Sequence, residues 1–582
     1  MLNRKPLALC LAALFVFCVS GCSKRDNDSS GDSGDSAIVE CISLDNFSDK
    51  AFGEYAISRW DLDGDKCISQ SEASKITEIP KQAFKNNNII ESIDDLNLFP
   101  SITTLREEAF AGCIKIKTAN LKYIQIVEQY TFSGTTYLPN VETVLSHAFE
   151  GTSLESVSLP KATYVGECAF VGVSTLKTLD LPNVETVGEY AFFGTSLESV
   201  SLPKATYVGD HAFHNASSLT SVDLPNVETV GNGAFFGTSL ESVSLPKATY
   251  VGDHAFCDVS TLKTLDLPNV ETVDGWAFSG TSLEIVSLPV ETVDGWALSG
   301  TSLESVSLPK ATNVGDGAFK DVSSLTSVDL PNVETVGDWA FSGTSLESIS
   351  LQKATNVGKC AFKDVSSLTS VDLPNVETVG DFAFEGTSLE SVSLPKATNV
   401  GLGAFGDVSS LTSVDLPSVE TVGDCAFGFT SLESVSLPKA TYVGDGAFCD
   451  VSPLKTLDLP NVETVDSMAF GRTALESVSL PKATYVGDGA FYSVSTLKTL
   501  DLPMATNIGE EIVVVYNDYS DKYELLLDTL YLTSPLPISM SSSSHDIEGY
   551  HNTNLYLNIN KKSEVSGVSW NGIEWKSITF VE

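Results

Sequence analysis

The sequence predicts a mainly β solenoid, one long array of short coils with a small helical module before it and a β-rich cap after it. The frame Leu-x-x-Val/Leu-x-Leu-Pro, followed by Val-Gly or Val-Asp and then Ala-Phe, returns almost unchanged from Leu154 to Leu497. Its copies alternate in steps of about 22 and 21 residues, and a fixed period in that range marks stacked repeats. Within a coil, Leu154, Val157 and Leu159 read as an inward-facing strand, with Val165, Ala169 and Phe170 as the opposite wall. One coil buries too few apolar side chains to offset the ordering of its backbone, so neighbours must stack and the ends need covers.

Composition narrows the partners. A formal charge of −42 argues against nucleic acid, which needs a basic surface. Hydrophobic residues make up 42 % of the chain and charged ones 19 %, an ordinary balance for a folded protein. Of eleven cysteines, Cys10 and Cys18 fall in the leader and the rest form no CxxC pair. They read as isolated thiols, with a Cys41 to Cys67 bridge possible.

From the N-terminus, Arg4 and Lys5 precede an apolar run from Pro6 to Val19, too short for a bilayer of about 30 Å. Residues 1–21 therefore read as a secretion signal. Val19-Ser20-Gly21-Cys22 resembles the lipobox of bacterial lipoproteins, which implies acylation at Cys22 and a lipid anchor. Residues 22–40, rich in Ser, Gly and Asp, read as a flexible tether.

Residues 41–78 form the helical module. Phe47, Phe52, Tyr55, Ala56 and Trp60 fall on helical spacing, with Ser48 as the expected N-cap. Asp61, Asp63, Asp65, Ser69 and Glu72 then occupy positions 1, 3, 5, 9 and 12 of a loop that resembles an EF-hand, with the Cys67 carbonyl at position 7. A hard divalent cation takes six or more oxygens, and a tightly wound loop closed by a glutamate supplies them from one segment. The resemblance implies bound calcium. Lys66 stands where the family has Gly, at the sharp turn of position 6. With no second loop visible, the site reads as a structural clip at the base of the solenoid.

The solenoid is expected over 79–510, with degenerate early coils ending at Phe84, Phe110 and Phe132. Leu-Pro-x-x-x-x-Val/Ile-Gly-x-x-Ala-Phe resembles the BspA-like class of leucine-rich repeats. That resemblance implies a curved leucine-rich-repeat arc on a bacterial cell surface, with roles in adhesion, and carries over no catalytic residue. One unit, at Leu283, is short and ends in Leu298 in place of Phe. Two unit types alternate: Ser158 and Lys161 in one, Asp180 and Asn183 in the next. The aspartates form either an acidic binding face, a row of weak calcium sites, or plain solvated surface.

One position refuses to repeat. Before each Ala-Phe stand Cys168, Tyr190, His211, Gly233, His254, Trp276, Trp296, Gly317, Trp339, Cys360 and Phe382, and the variation continues to Gly489. This phase should lie outside the core, and Trp276, Trp296, Trp339, Phe382 and Tyr190 are the candidates for ligand contact. The Trp296 unit also looks like a copy of the Trp276 unit, which would repeat its Trp without selection for binding.

Residues 511–582 are expected as the cap, with Asn571-Gly572 as a hairpin turn and Leu555, Leu557 and Ile559 on a strand. None of the six histidines has a partner at ligand spacing, so an enzyme is not expected. The expectation is a surface-anchored, non-enzymatic binder of host or bacterial proteins, or alternatively a glycan-capturing lipoprotein of a polysaccharide uptake system. Membrane contact would come only through the lipid, with the protein facing outward from the bacterial outer membrane.

Overall fold

The computed structural model describes residues 41–509 apart from 114, 117, 129–130, 132–134 and 153, and thereafter 512–513, 515–517, 522–524, 527–532, 547–548, 554–558, 569–570, 573–574 and 576–581. Cys22, the leader and the tether, Phe132, His545, His551, Ile559, Asn571 and Gly572 lie outside the described residues.

The array is a parallel β-solenoid with two columns of strands. In one, two-residue strands form an open ladder from Glu78–Ile79 to Asn507–Ile508, each pairing in parallel with the strand one coil away. Its inward residues, Val165, Val187 and Val208 among them, are fully buried. In the other column, three-residue strands pair mostly in doublets, such as Ser199–Ser201 with Ser221–Asp223, with longer runs such as Ile285–Ser287, Ser305–Ser307 and Ser327–Asp329. A stack of phenylalanine rings runs between the columns. From Phe149 to Phe278 and again from Phe319 to Phe491, successive rings lie parallel with centroids 4.8 to 5.5 Å apart. The ring spacing follows the coil spacing of about 4.8 Å that parallel strands impose. All the inward residues expected in the coil at Leu154 are buried.

The alternation of unit types has a hydrogen-bonding cause. Across each doublet the Ser hydroxyl donates to the Asp carboxylate of the next coil, as in Ser158 to Asp180 (2.6 Å), Ser201 to Asp223 (2.8 Å) and Ser436 to Asp458 (2.9 Å). The Asn amide of the second coil donates to the carbonyl beside the first coil's strand, Asn226 to Pro203 at 2.6 Å. Its oxygen then accepts from the next Lys, as Asn375 does from Lys396 at 2.6 Å. The exposed aspartates are therefore ladder acceptors, each paired within its doublet.

Two features differ from expectation. The helix N-cap is Asp49, whose carboxylate accepts from Phe52 N–H at 3.0 Å. Ser48 instead donates through its N–H (3.0 Å) and hydroxyl (2.8 Å) to the buried Asp95, in a later coil. Asp49 spans the same gap by accepting from Glu91 N–H at 2.7 Å. The C-terminal region is β-rich, but its main strands prolong the three-residue column. Thr499–Leu502, Thr529–Leu532, Asn554–Asn558 and Ser577–Val581 pair in parallel, in that order. The hairpin is present as Ser569–Trp570 against Ile573–Glu574.

Candidate functional sites on the solenoid and at its base

At the base, the helix Lys50–Trp60 ends at Asp61, and the chain winds through Asp63 and Asp65 into the strand Cys67–Ser69. One carboxylate oxygen from each of Asp61, Asp63 and Asp65 lies within 4.8 Å of the others. The loop is held by its own carboxylates: Asp61 accepts from Gly64 N–H (2.7 Å) and Lys66 N–H (2.8 Å). Lys66 adopts φ +70°, the left-handed turn in which a side chain is strained. Glu72 is buried and joins the two ends of the loop, accepting from Leu62 N–H (2.7 Å) and from Ser69 N–H and Oγ (both 2.8 Å). The Ser69 donors and then Leu62 N–H hold its carboxyl below the usual glutamate range. For Asp63, the Asp65 N–H favours the charged form, yet desolvation and the carboxylates of Asp65, Glu72 and Asp61 outweigh it and raise its pKa. An excess of negative charge is thus gathered at one point.

The loop has two supports. Cys67–Ser69 pairs antiparallel with Cys41–Ser43, and Cys41 is bonded to Cys67 with Cα atoms 5.7 Å apart. The following helix is a single turn, Gln70–Ala73, after which Glu78–Ile79 already opens the solenoid ladder. The module's Phe52 and Trp60 pack on Phe84 (5.3 Å) and Phe99 (4.8 Å) of the first coils.

The non-repeating position has one backbone conformation throughout. From Cys168 (φ +54°) through Tyr190 (+53°), Trp276 (+57°), Trp339 (+61°) and Phe382 (+57°) to Gly489 (+59°), every residue there is left-handed. The side chain leans over the same residue of the next coil. At four of the five glycines of this phase the space a Cβ would take is filled: at Gly233 by His211 (2.4 Å), at Gly317 by Trp296 (2.7 Å), at Gly403 by Phe382 (2.6 Å) and at Gly489 by Met468 (2.9 Å). Elsewhere rings stack. Tyr190 lies on His211 at 4.8 Å, His254 on Trp276 at 5.7 Å, and Trp276 on Trp296 at 4.9 Å with planes 2° apart. Lys320 Nζ sits 4.9 Å from both Trp296 and Trp339, and Lys363 Nζ 5.3 Å from Phe382.

Of the five ligand candidates, the structure brings Trp276, Trp296 and, through Lys320, Trp339 together. Phe382 and Tyr190 join separate clusters. Both faces of Trp276 are covered, by His254 and Trp296, and 36 % of the residue remains exposed.

Sequence reasoning missed a second exposed row. On the outer side of the two-residue ladder, Ile126, Tyr164 and Tyr207 are about 40 % exposed, and Tyr250 continues the line with Thr between. For the tyrosines the signal was present, since the motif reads Lys-Ala-Thr-Tyr at Tyr164, Tyr207 and Tyr250 and Lys-Ala-Thr-Asn at Asn313, Asn356 and Asn399.

Two stacked columns of parallel strands, a leucine-bearing inner wall and a ring ladder define a leucine-rich-repeat solenoid. The chain belongs to the BspA-type leucine-rich repeat family, whose six-copy repeat region matches residues 63–144, 142–263, 228–312, 249–363, 291–411, 340–442 and 398–513. No curated protein matches the chain. Among solved structures it is similar to a leucine-rich repeat protein from Bacteroides ovatus (18 % identity, 77 % of this chain and 87 % of that one, TM-score 0.35). It is similar also to a leucine rich cell surface protein from Faecalibacterium prausnitzii (20 %, 50 % and 89 %, TM-score 0.30) and to the pneumococcal vaccine antigen PcpA (13 %, 80 % and 85 %, TM-score 0.22).

Proposed function

We propose that the chain is a non-enzymatic cell-surface binding protein, anchored by lipid at Cys22, whose solenoid recognises a host or microbial surface protein. The observation that carries this reading is the row of exposed Ile126, Tyr164 and Tyr207, continued by the half-buried Tyr250. It is a line of apolar and amphipathic side chains held in register on a rigid ladder, which is how protein-binding anchors are presented. The net charge of −42 favours a partner with a basic contact surface. A polysaccharide ligand is the other reading, and it would stack on ring faces. The coverage of both Trp276 faces favours protein over glycan.

At the base, Asp61, Asp63, Asp65, Ser69 and Glu72, with the Cys67 carbonyl, would hold a calcium ion that clips the module to the solenoid. The residues fit a hard cation: three converging carboxylates, a raised Asp63, and a turn already in the left-handed conformation. Lys66 strains that turn and lowers affinity, and the millimolar calcium outside cells is sufficient for sites with Kd of about 10⁻⁴–10⁻³ M.

Two measurements test these readings. The full mature chain is applied to panels of matrix proteins and of glycans, with and without chelator. Tyr164→Ser/Tyr207→Ser/Tyr250→Ser is expected to lose protein binding while keeping the wild-type melting curve. Glycan binding lost in Trp276→Gly/Trp296→Gly and kept in the tyrosine variant would sink the protein reading. For the base, calcium titration is expected to slow hydrogen exchange over residues 61–72, and Glu72→Gln is expected to abolish that effect.

A further inference from the structure

The side chain at a left-handed position meets, across the next coil's left-handed residue, the side chain three places further on. Trp296 meets Lys320 across Gly317, and Met468 meets Tyr492 across Gly489. Cys425 and Cys449 occupy these two places about Gly446. A Cβ on Gly446 would lie 3.4 Å from Cys425 Sγ and 3.7 Å from Cys449 Cβ, so both side chains border one Cβ-sized space; Cys449 Sγ lies 3.6 Å from the Cβ place of Gly471, and rotation about its Cα–Cβ bond would turn it toward Cys425. The backbone fixes them there. Cys425 N–H donates to Asp445 O (2.8 Å), Cys449 N–H to Gly446 O (2.9 Å) and Phe429 N–H to Cys449 O (3.0 Å). Coils lie about 4.8 Å apart, and the turn that bonds Cys449 N–H to Gly446 O folds Cys449 back beside Gly446 on the coil next to Cys425; a disulfide needs a Cα span of about 4.4–6.8 Å. The other cysteines at these phases lack a cysteine at the matching place: the counterpart of Cys168 is Phe193, that of Cys360 is Glu385, and that of Cys257 is Gly233. Cys425 is exposed and Cys449 half-buried.

We propose that Cys425 and Cys449 form a redox pair that closes to an inter-coil disulfide on reaction with a low-molecular-weight disulfide, RSSR. The Cys425 thiolate attacks one sulfur of RSSR, giving a mixed disulfide and releasing RS⁻. The Cys449 thiolate then displaces the second RS⁻ and completes the Cys425–Cys449 bond. The two thiol protons end on the released RSH molecules, so the protein dithiol is oxidised and one RSSR is reduced to two RSH. The product is a staple across two coils, far from the permanent Cys41–Cys67 bond. Burial and then Asp445, Asp424 and Asp407 raise the Cys425 pKa. Burial, with Asp450 accepting from the thiol, pushes Cys449 up to about 11 against the weaker pull of Arg472. Closure is therefore slow at neutral pH and faster in alkali.

The test uses the full chain incubated with glutathione disulfide at about pH 8.5, where thiolate fractions rise, then alkylated and cut with trypsin. The expected product is peptide 397–439 joined to peptide 440–455, with slower hydrogen exchange over 425–449 than in the reduced chain. Cys425→Ser and Cys449→Ser should each lose the joined pair and keep their binding and melting behaviour. Separate alkylation of both peptides, or a glutathione adduct on Cys425 that never resolves, would overturn the proposal.

Discussion

At Gly317 the backbone is left-handed and the Trp296 ring occupies the place of a side chain. Both facts act against any other residue there, through about 1–2 kcal/mol of left-handed strain for an L-residue and through contact with an indole that cannot swing clear of its neighbours. Gly317→Ala is expected to lower the local opening free energy by roughly 1–3 kcal/mol, read by hydrogen exchange over 296–320. In a Trp296→Gly background the cost should shrink to the strain alone. Equal costs in both backgrounds would mean that the ring does not police the position. The sequence shows this phase to be variable, and the structure places it outside the core as expected. Its left-handed backbone was half-visible in the recurring Gly. What hid it was the tolerance of Tyr, His, Trp, Phe and Met at the same φ, which local propensity disfavours and which stacking on the next coil compensates.

The parallel strands set the coil spacing, and at most coils the glycine that follows the ladder valine lets the backbones approach that closely. A Cβ on Gly380 would stand 2.6 Å from the Gly358 carbonyl carbon and 2.7 Å from Lys359 N, and neither backbone atom can move aside. Asp466 occupies the same phase and already carries a Cβ, with Tyr442 OH donating to its carboxylate at 3.1 Å. Gly380→Ala is accordingly expected to destabilise its coil by about 1–3 kcal/mol, whereas Asp466→Ala should lose no more than about one hydrogen bond, roughly 1 kcal/mol. Urea unfolding followed at the flanking coils decides this, and equal losses would show that the close approach does not depend on the glycine. The Leu, Val and Phe walls were legible because apolar periodicity reports burial directly. The Ser-to-Asp and Lys-to-Asn bonds were not, because they join exposed residues about 22 positions apart, where a pattern shows alternation and no partner. The same limit hid the meeting of Cys425 and Cys449 about Gly446, since the two lie at different phases and only the lean of the left-handed side chain brings Cys425 to that place.

For the whole molecule, parallel pairing runs on into Ser577–Val581. The stretch after Met504 reads as a separate cap because strand spacing there turns irregular and the apolar frame fades. The array's continuity is weakest at the short unit. Val273 and Val293 are the only register pair joining their two ladder strands, and Leu298 interrupts the ring stack between Phe278 and Phe319 while remaining fully buried. In a solenoid each coil couples only to its neighbours, so stability is transmitted through every interface in series. Leu298→Ala would remove packing at the thinnest link and is expected to cost about 2–5 kcal/mol there. Because the loss falls on the coupling between two long segments, urea unfolding should split into two transitions, with hydrogen exchange rising first over residues 283–298. The same truncation in a regular coil, Leu389→Ala, should shift the curve with less separation of its halves, since the stacked rings Phe362, Phe384 and Phe405 still bridge that site. A single undivided transition in Leu298→Ala would show that the ladder alone couples the array and that the phenylalanine stack is not needed to transmit stability along it.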